Sequence, residues 1–217
     1  MYIGRIVAVA KTGDGRLCAM YRVSSRSFPN RMAVPMENRV SIVPKPGHES
    51  DVMKNPYIAY NCARIVAGGQ VAVLGNGSQT DPIAEKIAMG APVRDALVQV
   101  LLAMDYEKDS YNTPRITAIC DARPDGGAWL GIVRHNGLQV EQVELNPGTF
   151  RYVATYEENH VSGSFSGEFP AICPCGACEF VLWGGLFAER TNPVTAVTAM
   201  YGESGYELAA QDVAAAS

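Results

Sequence analysis

Along most of the chain apolar and polar residues alternate with a period of two, the repeat of a half-buried β-strand. Tyr2 to Ala10 is rich in Ile and Val, Leu17 to Ser24 alternates again, and Thr12-Gly-Asp-Gly15 between them is a turn. The chain is therefore expected to open as a β-hairpin. Arg39 to Val43 reads as a short strand closed by Pro44 and Pro46. Tyr57 to Val66 and Gln70 to Leu74 flank Ala67-Gly-Gly69 and predict a second hairpin.

The period then changes. After Gly75-Asn-Gly-Ser-Gln-Thr80 come Asp81-Pro82 and, at helical spacing, Ile83, Ala84, Ile87 and Ala88. Pro82 suits a first helical position, with Asp81 or Thr80 as cap. A second helix is expected from Pro92 to Met104, with Val93, Ala96, Leu97, Val100, Leu101 and Met104 on one stripe. Strands resume at Arg115–Cys120, Ala128–Val133, Leu138–Val143 and Arg151–Tyr156, with Asp125-Gly126 and Asn136-Gly137 as hairpin turns. Glu157 to Pro174, rich in Ser, Gly and Pro, reads as an extended loop, and Glu179 to Phe187 as a short helix. Val194 to Tyr201 reads as another strand turned back by Gly202-Glu-Ser-Gly205, and the closing residues 214–217 are expected to fray. Hairpin strands with helices grouped in the middle describe an α+β protein with largely antiparallel sheets. No repeat and no linker divides residues 1–217, so a single domain is expected.

Composition narrows the function classes. With 47% apolar residues the chain can bury a sizeable core, and a net charge of −4 argues against nucleic acid as its main partner. No run reaches the length of a membrane span, so no membrane partner is expected. Met-Tyr-Ile-Gly-Arg-Ile lacks the features of a signal peptide, and a cytoplasmic location is expected. Cys18, Cys62 and Cys120 sit singly in apolar runs and read as small buried residues.

Five segments are candidates for chemistry. Arg22 to Arg31 holds three arginines, three serines and an asparagine with no acid, a composition suited to phosphate or carboxylate oxygens, although a solvated basic loop has the same look. Gly75 to Asp81 precedes a helix and offers backbone N–H groups to an anion, or is an ordinary strand-to-helix turn. Asp105, Glu107 and Asp109 crowd a helix C-terminus against the macrodipole, so either all are solvated or one has a task. Tyr60 and Asn61 are polar groups in an apolar strand, where a tyrosine normally packs. Cys173, Cys175 and Cys178, with His160, have the types of a zinc site but lack a second separated pair, so a surface loop with free thiols is expected.

Tyr21-Arg-Val-Ser-Ser-Arg-Ser-Phe-Pro-Asn-Arg31, Asn55-Pro-Tyr-Ile-Ala-Tyr-Asn-Cys62, Asn76-Gly-Ser78 and Leu102-Ala-Met-Asp-Tyr-Glu-Lys-Asp109 together resemble the archaeal-type IMP cyclohydrolases. Asn112-Thr-Pro-Arg-Ile116 and Asn192-Pro-Val-Thr195 fit the same family, and the likeness thins between Arg123 and Arg190. The resemblance implies the fold of the N-terminal-nucleophile hydrolases, a four-layer αββα sandwich of antiparallel sheets. It also implies the last step of purine synthesis, in which 5-formamidoimidazole-4-carboxamide ribonucleotide loses water to become IMP.

That ring closure needs a donor for the charge growing on the formyl oxygen and a path for a proton from nitrogen to the departing hydroxyl. It needs no redox step, cofactor or metal. By resemblance Arg22, Tyr60 and Glu107 are expected at the reacting centre, Arg26, Ser27 and Arg31 at phosphate and ribose, and Asn76 and Ser78 along the pocket. The expected partner is the purine nucleotide, with homo-oligomers left open. Two features depart from the pattern: the chain starts Met1-Tyr2 where hydrolases of this fold carry a freed Ser, Thr or Cys, and the Cys173–Cys178 cluster is foreign to it. An amide hydrolase and a non-catalytic nucleotide-binding protein are the competing readings.

Overall fold

The computed structural model describes residues 1–214, so the fraying expected at residues 214–217 falls, past Ala214, outside the described residues. Its thirteen strands, numbered in chain order, form two antiparallel sheets. The first contains β1 (Ile6–Lys11), β2 (Leu17–Ser24), β10 (Thr149–Ala154), β11 (Ser166–Glu168), β12 (Pro193–Gly202) and β13 (Gly205–Asp212), in the order β11-β10-β1-β2-β12-β13. The second contains β3 (Arg31–Met36), β4 (Arg39–Pro44), β5 (Tyr60–Val66), β6 (Val71–Gly75), β7 (Arg115–Asp121), β8 (Gly127–Arg134) and β9 (Gly137–Val143), side by side in chain order. The α+β class with antiparallel sheets expected from the alternation is what the chain adopts.

Alternation puts successive side chains on opposite faces, and both faces of the central strands are covered. Val7, Tyr21, Val23, Ile42, Leu74, Ile116 and Val197 share one apolar core to which both sheets contribute. The other face of the first sheet, with Ile6, Met20 and Phe150, packs on helix α4 (Pro174–Trp183) through Phe180 and Val181. Ring centroids of Phe150 and Phe180 lie 5.3 Å apart at 77°, the edge-to-face geometry that aromatic quadrupoles favour. The other face of the second sheet packs on α2 (Thr80–Ala88) and α3 (Val93–Met104) through Ile83, Ile87, Leu97 and Leu101. Gly131 on β8 leaves room there: a Cβ would sit 2.9 Å from the Leu101 side chain. Among the described residues no helix is long and apolar enough to cross a membrane.

Register follows the pleat. Ile6 pairs with Arg22 and Val7 with Tyr21 across β1 and β2, and Arg22 faces Ala196 on β12. Tyr21 therefore points into the core shared by the sheets, and Arg22 points to the α4 side.

Several elements differ from expectation for local reasons. β3 was not foreseen because Pro29 and Pro35 argue against a strand; it lies at a sheet edge, where a missing N–H is tolerated. Residues 57 and 58 lie in a 3-10 turn (Pro56–Ile58) that the Asn55 side chain holds by accepting from the Tyr57 N–H at 2.9 Å. α2 begins at Thr80, which places Pro82 inside its first turn but not at its first position. α4 starts at Pro174, with Cys173 as its cap, where a loop was expected; proline fits a first helical position because that N–H has no intrahelical partner. A short helix, α1 (Asp51–Lys54), and the three-residue β11 also lie where no element was expected.

Candidate active site

The arginine-serine segment leaves the end of β2 as a tight loop. The Ser25 N–H donates to Asn192 O at 3.0 Å, the Phe28 N–H to Ser25 Oγ at 3.0 Å, and Arg31 Nε to Phe28 O at 3.0 Å. The loop forms one wall of a cavity of about 440 Å³, within the range of small-molecule sites. Arg26, Ser27 and Arg31 all line it. Arg26 stacks over the Tyr2 ring at 4.2 Å. Arg31 is buried, and its Nη1 has no hydrogen-bond partner among the described residues, so a donor is held toward an acceptor the protein does not supply.

The inner end of the cavity is built around Arg5, which lies just before β1 and was not singled out in the sequence. Its Nη2 meets Glu107 Oε2 at 3.0 Å, and its Nη1 donates to Asn76 O at 3.5 Å. Glu107 is fully buried after α3, where its N–H donates to Thr113 O at 2.8 Å. Asp109 shapes that turn by accepting from the N–H groups of Tyr111 and Thr113 and from the Thr113 hydroxyl. Asp105 pairs with Lys108 at the surface. Of the three acids that follow α3, then, Glu107 is the fully buried one and Asp109 is the one that lines the cavity.

A second guanidinium, Arg115 on β7, stands 3.8 Å from Glu107 Oε1 and donates to Gln79 Oε1 at 3.2 Å and Asp105 O at 2.9 Å. Burial pushes the Glu107 carboxyl above its usual value, and Arg5 and Arg115 pull it back. Burial works against the Arg5 charge, but Glu107 first and then Tyr60 and Tyr21 hold it well above the ordinary arginine value. Arg5 thus remains a charged donor on the cavity wall, with a carboxylate behind it. Gly77 is small for this reason: a Cβ there would come within 2.8 Å of Arg115 Nη1 and 3.1 Å of Glu107 Oε1.

Tyr60 opens β5 near Arg5; like Glu107, it lies behind the residues that line the cavity. Its hydroxyl is 2.5 Å from that of Tyr21. Burial raises its pKa, and Arg31 and Arg5 act in the opposite direction. Tyr57 of the 3-10 turn, with Tyr2, Tyr111 and Tyr156, adds aromatic rings to the cavity lining, and Ile58 adds an aliphatic side chain.

Arg22 is elsewhere. It was expected at the reacting centre, but strand parity places it opposite Tyr21, on the α4 face. There Nε donates to Ser24 Oγ at 3.0 Å, and Nη1 to the carbonyls of Val181, Leu182 and Phe187 at 3.3, 3.0 and 3.0 Å, while Nη2 donates to Arg190 O. All three nitrogens are occupied by the protein. Burial, with the nearby Arg190 charge, lowers its pKa to about 10.

Asn76 and Ser78 were expected along the pocket and do not line it. The Asn76 side chain donates to Pro114 O at 2.8 Å and accepts from the Ile116 N–H at 2.8 Å and Gln79 Nε2 at 2.9 Å, which ties the end of β6 to β7. Ser78 is exposed. Asn61 donates to Asp81 and accepts from Ser41 Oγ, a structural tie at the start of α2. The cysteines are not gathered: Cys173 Sγ accepts from the Gly176 N–H at 3.3 Å as a helix cap, and Cys178 is buried against Thr198 Oγ1 at 3.4 Å.

Residues 2–205 match the family described as IMP cyclohydrolase-like protein. The chain belongs to that family. Among its relatives, an IMP cyclohydrolase of Methanosphaera stadtmanae is 46% identical over 199 residues, covering 92% of this chain and 94% of the relative. One of Methanocella arvoryzae is 52% identical over 163 residues, 75% of this chain and 77% of the relative. One of Methanocaldococcus jannaschii is 40% identical over 210 residues, 96% and 98% of the two chains. Membership of the family agrees with the resemblance carried by the arginine-serine, Asn55–Cys62 and Leu102–Asp109 segments.

Proposed function

We propose that this chain is an IMP cyclohydrolase, a single-domain enzyme that closes the purine ring of 5-formamidoimidazole-4-carboxamide ribonucleotide with loss of water. The observation that carries the reading is Arg5, on the wall of the cavity that the arginine-serine loop also lines, paired at 3.0 Å with the buried Glu107 behind it and close enough to Tyr60 for each to act on the other's charge. The two sheets with helices on their outer faces support the αββα sandwich of the N-terminal-nucleophile hydrolases as its architecture.

In this reading the nucleotide phosphate lies at the loop, where Arg26, Arg31 and Ser27 supply fixed charge and hydroxyl donors. The imidazole carboxamide lies deeper, between the tyrosines. The carboxamide nitrogen attacks the formyl carbon, a C–N bond forms, and the carbonyl pair moves onto oxygen. Arg5, kept charged by Glu107, and the Tyr60 hydroxyl are the donors aimed at that oxygen. The nitrogen gives up a proton and the oxygen gains one, which yields a carbinolamine. Its hydroxyl then leaves as water with the proton of the former formamido nitrogen. Glu107 acts through Arg5, as the counter-charge that fixes the guanidinium. Holding the two reacting groups in contact supplies the rest of the acceleration.

The test is turnover. Chelator-treated protein given the formamido nucleotide should produce IMP, followed by ultraviolet absorbance, without added metal. Tight IMP binding with no turnover would replace this reading with a nucleotide-binding protein.

A further inference from the structure

The phenol pair behind the cavity has a direction. Tyr21 is fully buried in β2 and Tyr60 opens β5, so their 2.5 Å contact joins the two sheets. Neither hydroxyl has another hydrogen-bond partner among the described residues. Each phenol has one proton to give. If Tyr60 gave its proton to Tyr21, the Tyr21 proton would be stranded in the apolar core between the sheets. If Tyr21 donates instead, the Tyr60 proton is free to turn to the side where Arg5 and Arg31, which line the cavity, act on Tyr60. Those side chains have no acceptor atoms, so neither can take it. The Tyr60 proton then has no protein partner and awaits an oxygen brought by a ligand.

We propose that Tyr21 is a positioning residue for ring closure: it donates its proton to the Tyr60 oxygen, turns the Tyr60 O–H toward the formyl oxygen, and supports the charge left on Tyr60 when that proton departs. This rests on the cyclohydrolase reading above. The step is balanced without a co-reactant. The formyl oxygen takes the Tyr60 proton as the C–N bond forms, and the attacking nitrogen returns a proton to the Tyr60 oxygen. The groups facing the pair are Arg5 before β1, Arg31 on β3 and Cys62 on β5, with Glu107 and Tyr156 acting on Arg5. Burial raises both phenols; of the two, Tyr60 is the one that the shared hydrogen bond pulls down and Tyr21 the one it pushes up.

The experiment compares wild type with Tyr21→Phe, Tyr60→Phe and the double variant, in full-length protein whose melting curves have been checked. Tyr21→Phe should lower kcat by roughly 10- to 100-fold, at or below the lower limit for a direct proton-transfer group because Tyr21 acts through Tyr60, and leave KM within about twofold. It should also move the alkaline limb of the kcat profile upward, because Tyr60 loses a donor that favours its ionised form. On the Tyr60→Phe background the same change should add nothing, since coupled residues are non-additive. Tyrosine 13Cζ NMR gives a readout independent of turnover. The resonance absent from Tyr60→Phe should titrate at higher pH in Tyr21→Phe, and at lower pH when 3-fluorotyrosine, a stronger donor of nearly the same shape, is placed at position 21. Wild-type kcat in Tyr21→Phe, an equal loss on the Tyr60→Phe background, or an unmoved Tyr60 titration would each overturn the proposal. If the chain formed no IMP while the titration still shifted, the ring-closing role would fall with the cyclohydrolase reading and the hydroxyl order alone would stand.

Discussion

Arg5 and Glu107, 102 positions apart in the chain, meet at 3.0 Å, with the guanidinium on the cavity wall and the carboxylate fully buried behind it. A planar fork fixed by a bidentate-capable partner is not replaced by a point charge. Arg5→Lys and Glu107→Gln are each expected to lower kcat by about 10²- to 10³-fold, the usual cost of losing one oxyanion donor. The assay is IMP formation by absorbance, with circular dichroism confirming that each variant is folded.

The same pair sets an acid limb. Burial raises the Glu107 carboxyl despite Arg5 and Arg115. A raised carboxyl takes up its proton at higher pH than an exposed glutamate, whose ordinary value is about 4.3. As pH falls Glu107 is therefore neutralised early and Arg5 loses its counter-charge. Activity is expected to be present above that transition and lost as pH falls through it. The kcat/KM profile should show a limb above the ordinary glutamate value that is missing from Glu107→Gln.

Arg22→Lys tests the displaced assignment. The guanidinium serves four backbone carbonyls and the Ser24 hydroxyl, and an ammonium has three donors on one atom. Carbonyls left without donors should cost about 3 kcal/mol, and Tm should fall on the order of 10 °C by calorimetry. At temperatures where the variant is folded, kcat should stay within about twofold of wild type, because no nitrogen of Arg22 is free for substrate; the bound is set by mutations away from the reacting centre leaving chemistry largely intact.

The loop arginines are expected to act on affinity. Arg26→Ala and Arg31→Ala should each weaken IMP binding by roughly 10- to 100-fold, the worth of one or two charge-assisted contacts. Inosine, which lacks the phosphate, should bind wild type and variants alike. Calorimetric titration with both ligands separates a phosphate contact from general damage to the cavity.

Most strands and two helices were legible from period alone, since a half-buried pleat and an amphipathic helix leave different repeats. Arg26, Ser27 and Arg31 were legible because a basic run without acids stands out in a loop. Glu107 was legible as one of three acids in an unfavourable place. Arg5 was not: Ile3-Gly-Arg5-Ile reads as the start of an apolar strand, and its partner lies 102 positions away. Arg22 was misplaced because both faces of β2 are buried. Alternation says that Tyr21 and Arg22 face opposite ways, and it carries no mark of which face holds the site. Cys173–Cys178 read as a surface loop with free thiols, yet Pro174 starts a helix there, Cys173 caps it and Cys178 is on its buried face against Thr198.

The opposed pair on β2 also guards the alignment of the strand. A slip of one position would thrust a guanidinium into the oily space between the sheets and strip the carbonyls around Arg190 of their donor, while the phenol would lose Tyr60. Every such misthreading forfeits two polar partnerships together, so these neighbours work as a latch against any alignment that swaps the two faces of β2.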